Sequence, residues 1–320
     1  MKKTIYLTLI FLLTLSQNSF AGSYKISVNQ FVEHPSLDAV LQGFKDYLRE
    51  NNLEIDYSIH IAQANMGTAS QIAKQMLAEE ADLLLAITTP SSQACAQALA
   101  RAPKNLKKPL LFSAVTNPVA AGLVKDLNRP ENNITGVSDL LPIKAHIEMV
   151  LKYVPEAKKI GVLYNAGEAN SKATVADLKA LQQELGIKVV EATASKTADV
   201  YQAAKSLVGR VDVIFIPTDN TIVSSLESVL KVGQQNKLPV FSADVESVKR
   251  GTVAAMGFDY YKHGMQTGAI AARILAGEKT ENIPVEFQHD LQLHLNKSAA
   301  AKMGVTPPEE LLKAATNIIE

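Results

Sequence analysis

The sequence predicts an α/β protein of two lobes, each a doubly wound parallel sheet, with a ligand cleft between them. Three observations carry that expectation. Short apolar runs such as Leu83–Ile87 and Val213–Ile216 are far too short to span a membrane and read as strands buried on both faces. Segments with helical spacing lie between such runs, giving the strand–helix–strand alternation of a parallel sheet. Each run then opens into a polar loop: Thr88-Thr89-Pro90-Ser91-Ser92, Val115-Thr116-Asn117-Pro118, Tyr164-Asn165-Ala166-Gly167-Glu168, Pro217-Thr218-Asp219-Asn220 and Ser242-Ala243-Asp244. Open α/β sheets hold their ligands at such strand ends, where helix starts also present unbonded N–H groups.

Taken in order, the chain begins with an export signal over residues 1–21. Met1-Lys2-Lys3 is its basic start, Ile5 to Leu15 its apolar core and Ser19-Phe20-Ala21 a small-x-small cleavage site. Cleavage is expected after Ala21, releasing a periplasmic protein, and no Cys follows the apolar core to carry a lipid. Lys25–Asn29 reads as a strand, and Ser36 as the N-cap of a helix from Leu37 to Asn51. A strand over Glu54–Ala62 and a helix opened by Thr68 or Ser70 follow, then the Leu83–Ile87 strand and an Ala-rich helix. Asn133–Asp139 breaks the rhythm before a helix from Ile143 to Tyr153.

A second series then starts, with strands at Ile160–Tyr164, Lys188–Ala192, Val213–Ile216 and Val240–Ser242. Val253–Tyr260 is another break, ahead of an Ala-rich helix carrying Tyr261, Met265, Ile270 and Ile274. The expected lobes are therefore 22–139 with 260–280, and 140–259 with 281–320. A chain of 320 residues has room for both cores.

Composition narrows the function. With 32 basic and 32 acidic residues the formal charge is zero, so no nucleic-acid footprint is present. Cys95 is the only cysteine, which rules out an intrachain disulfide, and its Ala-rich setting reads as a buried small hydrophobe. His60, His146, His263, His289 and His294 show no metal-ligand spacing, so neither metal nor cofactor is expected. No Gly-x-Gly-x-x-Gly, Gly-x-Ser-x-Gly or Walker motif occurs, so the chain is not expected to be an enzyme. Arg101, Lys104, Lys107 and Lys108 read as a solvated face, with contact to a membrane partner as the sharper alternative.

Several segments taken together carry a family resemblance. They are His34-Pro35-Ser36-Leu37-Asp38, Thr88-Thr89-Pro90, the run from Phe112 to Val124, and Asn133–Asp139. In the second half they are Gly161–Asn165 with Glu168–Ser171, and Pro217–Asn220. Through these the chain resembles the type I periplasmic solute-binding proteins of ABC importers, most of all the tryptophan- and tyrosine-binding subfamily. The resemblance spans nearly the whole mature chain. Asn117 departs from it, since an Asp is expected there in many relatives. The resemblance implies a monomer whose lobes close by a hinge on an aromatic or apolar amino acid, such as Phe, Tyr or Trp, and deliver it to a membrane permease.

For such a ligand, the carboxylate calls for hydroxyl and N–H groups, offered by Thr89, Ser91 and Thr116. The ammonium calls for a carboxylate: Asp219 first, Glu168 second. A flat apolar slot would draw on Phe31, Pro90, Tyr164 and Tyr260. His34, Asp139, Asn165, Asn220 and Asp244 complete the candidate site. The plainer role for these Ser, Thr and Asp residues is helix capping, with Asp219 placed to cap a helix near Thr221. A periplasmic sensor that presents its ligand to a membrane receptor, and an exported enzyme on a flavodoxin-like fold, are the alternative functions.

Overall fold

The computed structural model describes residues 23–320, so the export signal and its cleavage after Ala21 lie outside the described residues. The first sheet is built from β1 (Tyr24–Gln30), β2 (Ile55–Ile61), β3 (Leu83–Ile87), β4 (Leu110–Ser113) and β5 (Ile134–Ser138). The second holds β6 (Lys159–Tyr164), β7 (Lys188–Thr193), β8 (Val213–Ile216) and β9 (Val240–Ser242). Later come β10 (Ala254–Gly257), β11 (Glu286–Phe287), β12 (Gln292–Asn296) and β13 (Asn317–Ile319). Strand order is β11-β5-β4-β3-β1-β2 in the first sheet and β7-β6-β8-β9 in the second. Every pairing in these two sheets is parallel. A small third sheet, β10-β12-β13, extends the second lobe.

Apolar sequence decides the sheet centres. All five residues of β3 and all four of β8 are buried, as strands covered by helices on both faces must be. Two separate cores result. One gathers Val28, Phe44, Leu85 and Phe112 with Ile270 from the helix Tyr260–Leu275; the other gathers Ile160, Phe215, Phe241 and Leu295. In the first lobe the helices Pro35–Glu50 and Tyr260–Leu275 lie against each other at backbone contact. A Cβ on Gly264 would fall 2.0 Å from the Val40 carbonyl oxygen, and one on Gly43 would fall 2.0 Å from that of Tyr261.

Several expected boundaries shift. Asn133–Asp139 is not simply a break, because Ile134–Ser138 is a full strand of the first sheet. Its Gly136 permits close strand packing, since a Cβ there would meet the Phe112 carbonyl oxygen at 2.1 Å. Val253–Tyr260 likewise contains β10. The last return to the second lobe falls after Phe287, not at 281, because β11 pairs with β5 and Ile283 and Val285 sit in the first core. The first long helix starts at Pro35, with His34 at the cap position and Ser36 inside the first turn. Proline favours the first helical position and so moves the start upstream of the expected cap. In the helix Met66–Ala78 the cap is Asn65, whose side chain accepts from the Thr68 N–H. Among the described residues no helix is long and apolar enough to cross a membrane.

Candidate functional site

The polar strand ends of the two lobes face each other across a narrow cleft whose free space is only about 20 Å³. The loop after β1 supplies His34, Ser36 and Leu37; the loop after β4 supplies Ala114 and Thr116. Asp139 follows β5, and Tyr260 opens the returning helix. From the second lobe come Asn170, Thr218, Asp219, Asn220, Val223 and Asp244. Two hydrogen bonds tie the lobes together beside the cavity. The Ser36 hydroxyl donates to Asp244 Oδ1 at 2.9 Å, and the Thr116 and Thr218 hydroxyls meet at 3.1 Å.

Three buried acids line this space and a fourth, Glu168, lies behind Asn170 and Asn220; their hydrogen bonds sort them. Glu168 accepts five: Thr221 N–H and Oγ1–H at Oε1, then Asn220 N–H, Asn220 Nδ2 and Asn170 Nδ2 at Oε2. Asp219, fully buried, accepts from Asn165 N–H and Ser171 Oγ at Oδ2 and caps its short helix through Ile222 N–H at Oδ1. These two expected ammonium partners therefore clamp the second lobe's own loops. Burial, and then the neighbouring Glu168 charge, raise the Asp219 pKa well above the usual carboxylate range.

Asp244 is also well supplied, by Ser36 Oγ, Ser247 N–H and Ser247 Oγ. It stands at the start of the helix Pro35–Glu50, which has no side-chain cap, so its charge meets the positive end of the helix dipole. Asp139 is the least satisfied. It accepts from Thr116 Oγ1 at 2.8 Å, while the Tyr260 hydroxyl is 3.4 Å from its Oδ2. Burial pushes the Asp139 pKa up to about 6. No Lys or Arg lines the cavity.

The remaining expected residues divide cleanly. Thr116, Asn220, Tyr260 and His34 line the cavity; Thr89, Ser91, Tyr164 and Asn165 do not. Ser91 Oγ is spent on Asn29 inside the first lobe, and Thr89 is buried away from the cavity wall. Tyr164 turns its hydroxyl outward to Glu191 at 2.6 Å. Asn165 serves the second lobe's loops, donating to Thr221 and accepting from Gly167 N–H. Phe31 and Pro90 are packed in the first lobe, so Tyr260 is the one member of the expected aromatic slot that reaches the cavity. Asn117 accepts from Ala120 N–H in its own turn and lines no part of the cavity.

Ser36, Leu37, Ala114, Asn170, Thr218 and Val223 are the lining residues that strand-end reasoning did not select. Thr218 sits in the same loop as Asp219, and Asn170 two residues past Glu168, so both fall in segments the sequence singled out. Nothing in the sequence says which member of a loop faces inward. Two of the cavity's side-chain atoms are buried without any partner: His34 Nδ1 and Asn170 Oδ1. Among the described residues no group of His, Cys, Asp and Glu could hold a metal ion.

Comparison with known proteins agrees with this architecture. The family model described as "ABC transporter substrate binding protein" matches residues 25–319. The chain is 41% identical over 278 residues to a tyrosine-binding protein of Clostridioides difficile (strain R20291), covering 85% of this chain and 78% of that one. A Streptococcus pneumonia ABC domain solved in complex with L-Trp superposes with a TM-score of 0.87 at 33% identity, covering 93% of this chain and all (100%) of that one. A ligand-free, open substrate-binding protein with adhesive properties from Clostridium difficile gives 0.67 at 37% identity, covering 92% and 99%. The more identical protein superposes less well, which fits a closed arrangement here, as do the two hydrogen bonds between the lobes. By its sequence and its fold, this chain belongs to the ABC transporter substrate-binding protein family.

Proposed function

We propose that the chain is the periplasmic receptor of an ABC importer and captures an aromatic amino acid by hinge closure of its lobes. The observation that carries this reading is the cleft between two strand-end faces, walled by Asp139, Asp219 and Asp244 and, among the described residues, lined by no Lys or Arg. Such a cavity favours a ligand bearing a compact positive charge. Asp139 takes the ammonium, because it alone of the four acids keeps an oxygen with no short hydrogen bond. A cation there restores the ionised form that burial disfavours. Thr116 spends its hydroxyl proton on Asp139, so the neighbouring Thr218 hydroxyl serves the ligand carboxylate. Leu37, Val223 and Tyr260 give the apolar walls for a ring. The tyrosine- and tryptophan-binding relatives support the ligand class.

In this reading the exported chain is released by cleavage after Ala21, works as a monomer without catalysis, and hands its ligand to a membrane permease. Calorimetric titration of the chain from Gly22, unfolded and refolded to strip carried-over ligand, against the common amino acids tests it. One-to-one binding of an aromatic amino acid is expected. Silence to all three aromatic amino acids refutes the ligand class.

A further inference from the structure

We infer that His34 selects the ligand's ring, by hydrogen-bonding a polar ring atom such as the tyrosine hydroxyl or the tryptophan indole N–H, and so discriminates against phenylalanine. This rests on the reading of the cavity as an aromatic amino-acid site and goes further, by assigning its specificity to one nitrogen.

His34 lines the cavity, its Nδ1 is buried without a partner, and the residue is only 8% exposed. A buried polar atom without a partner is uncommon and costly, and in a binding protein the missing partner is naturally the ligand. The groups around the cavity form two hydrogen-bonded sets. Asp139, Thr116, Thr218 and Tyr260 make one. Ser36 and Asp244 make the other, and His34 lies two residues before Ser36 at the start of the same helix.

The ligand's ammonium, and with it the carboxylate on the same carbon, have reason to gather at Asp139. Asp244 is already satisfied by three donors and by the helix start, whereas Asp139 is not. A ligand carboxylate near His34 would face Asp244 as a like charge in a buried setting. The group that meets His34 is therefore neutral and polar, and on an aromatic amino acid that is the ring's own O–H or N–H. A phenol both donates and accepts, so it suits either imidazole tautomer. An indole N–H only donates and needs a lone pair on Nδ1. Burial, helped by the charge of Arg250, holds the His34 pKa below its usual range against the pulls of Asp244 and of a side-chain contact with Asn220, which keeps the ring neutral.

The test compares tyrosine, tryptophan and phenylalanine by calorimetry on the protein and on His34→Phe and His34→Gln. Tyrosine and tryptophan are expected to bind about 10- to 100-fold tighter than phenylalanine, the scale for leaving a buried polar group unpaired. Whatever His34→Phe does to the affinity common to all three ligands, it should bring the ratio to within about threefold. His34→Gln, still able to donate or accept, should retain most of the discrimination. Equal affinities in the unaltered protein, or a ratio that survives His34→Phe, overturn the inference while leaving the amino-acid site standing. Silence to all three ligands fails the underlying reading instead. A readout that needs no variant is the His34 Nδ1 nitrogen resonance, expected to move with tyrosine and not with phenylalanine; an equal response to both overturns the inference.

Discussion

Replacing Glu168 with Gln separates a loop clamp from a ligand contact. Glu168 is 2% exposed and its two oxygens accept from Thr221, Asn220 and Asn170. Gln has nearly the same volume, but one oxygen becomes an NH2. Whichever way the amide turns, that group faces at least the two Thr221 donors or the Asn220 and Asn170 donors. Losing two charge-assisted bonds at about 1.5–3 kcal/mol each costs about 3–6 kcal/mol. Removing the Glu168 charge also relieves Asp219, which returns about 1–2 kcal/mol on the scale of a single like-charge contact. The hydrogen bonds win, leaving a net loss of about 2–4 kcal/mol and a Tm lower by about 4–16 °C. Thermal unfolding followed by circular dichroism, with and without ligand, reads the effect. An unchanged Tm accompanied by lost binding would refute the clamp and return Glu168 to the ligand.

The pH dependence of binding follows from Asp139. With its pKa raised to about 6, its protonated form dominates below that value and offers no charge to an ammonium, so affinity should fall on acidification, approaching tenfold per pH unit; titrations from pH 8 to 4.5 check this. The ligand-free protein should respond in the opposite sense. A carboxyl whose folded pKa is raised contributes stability that is full below its ordinary value of 3.8 and is lost as pH rises through about 6, which urea midpoints across that window would show. Gly264→Ala should lower the urea midpoint sharply, by about 3 kcal/mol or more, because the new Cβ meets backbone at 2.0 Å and not a side chain that can turn aside.

Much of the frame was legible in apolar runs. β3, β4 and β8 are buried along their whole lengths, and such runs have few other readings. β5 was less visible because Thr135 and Gly136 interrupt its pattern; the glycine marks close contact with Phe112, a fact of three dimensions. The site was legible as a set of loops and not as a set of contacts. Asp219 looks like an exposed acid at a strand end, but its partners Asn165 and Ser171 come from a loop 48 to 54 residues away, and only folding brings them to it. Ser36 has the opposite history. Its residue type suggested a local cap, whereas its hydroxyl reaches Asp244 across 208 positions of chain. Tyr164 lies off the cavity wall because strand alternation fixes which face a side chain takes, and β6 turns it toward Glu191.

The glycine-lined contact between the helices Pro35–Glu50 and Tyr260–Leu275 has a consequence for the order of folding. The first lobe cannot complete its core from its own early residues, since Ile270, Ala271 and Ile283 belong to it. Its helix Pro35–Glu50 meets the later helix backbone to backbone, at Gly43 on one side and Gly264 on the other. The second lobe waits as well, because Leu293, Leu295 and Leu311 fill its core. Each half thus depends on the chain's final segment. A polypeptide emerging N-terminus first remains without a finished domain until almost all of it has appeared, the state in which an unfolded chain can still be threaded across a membrane.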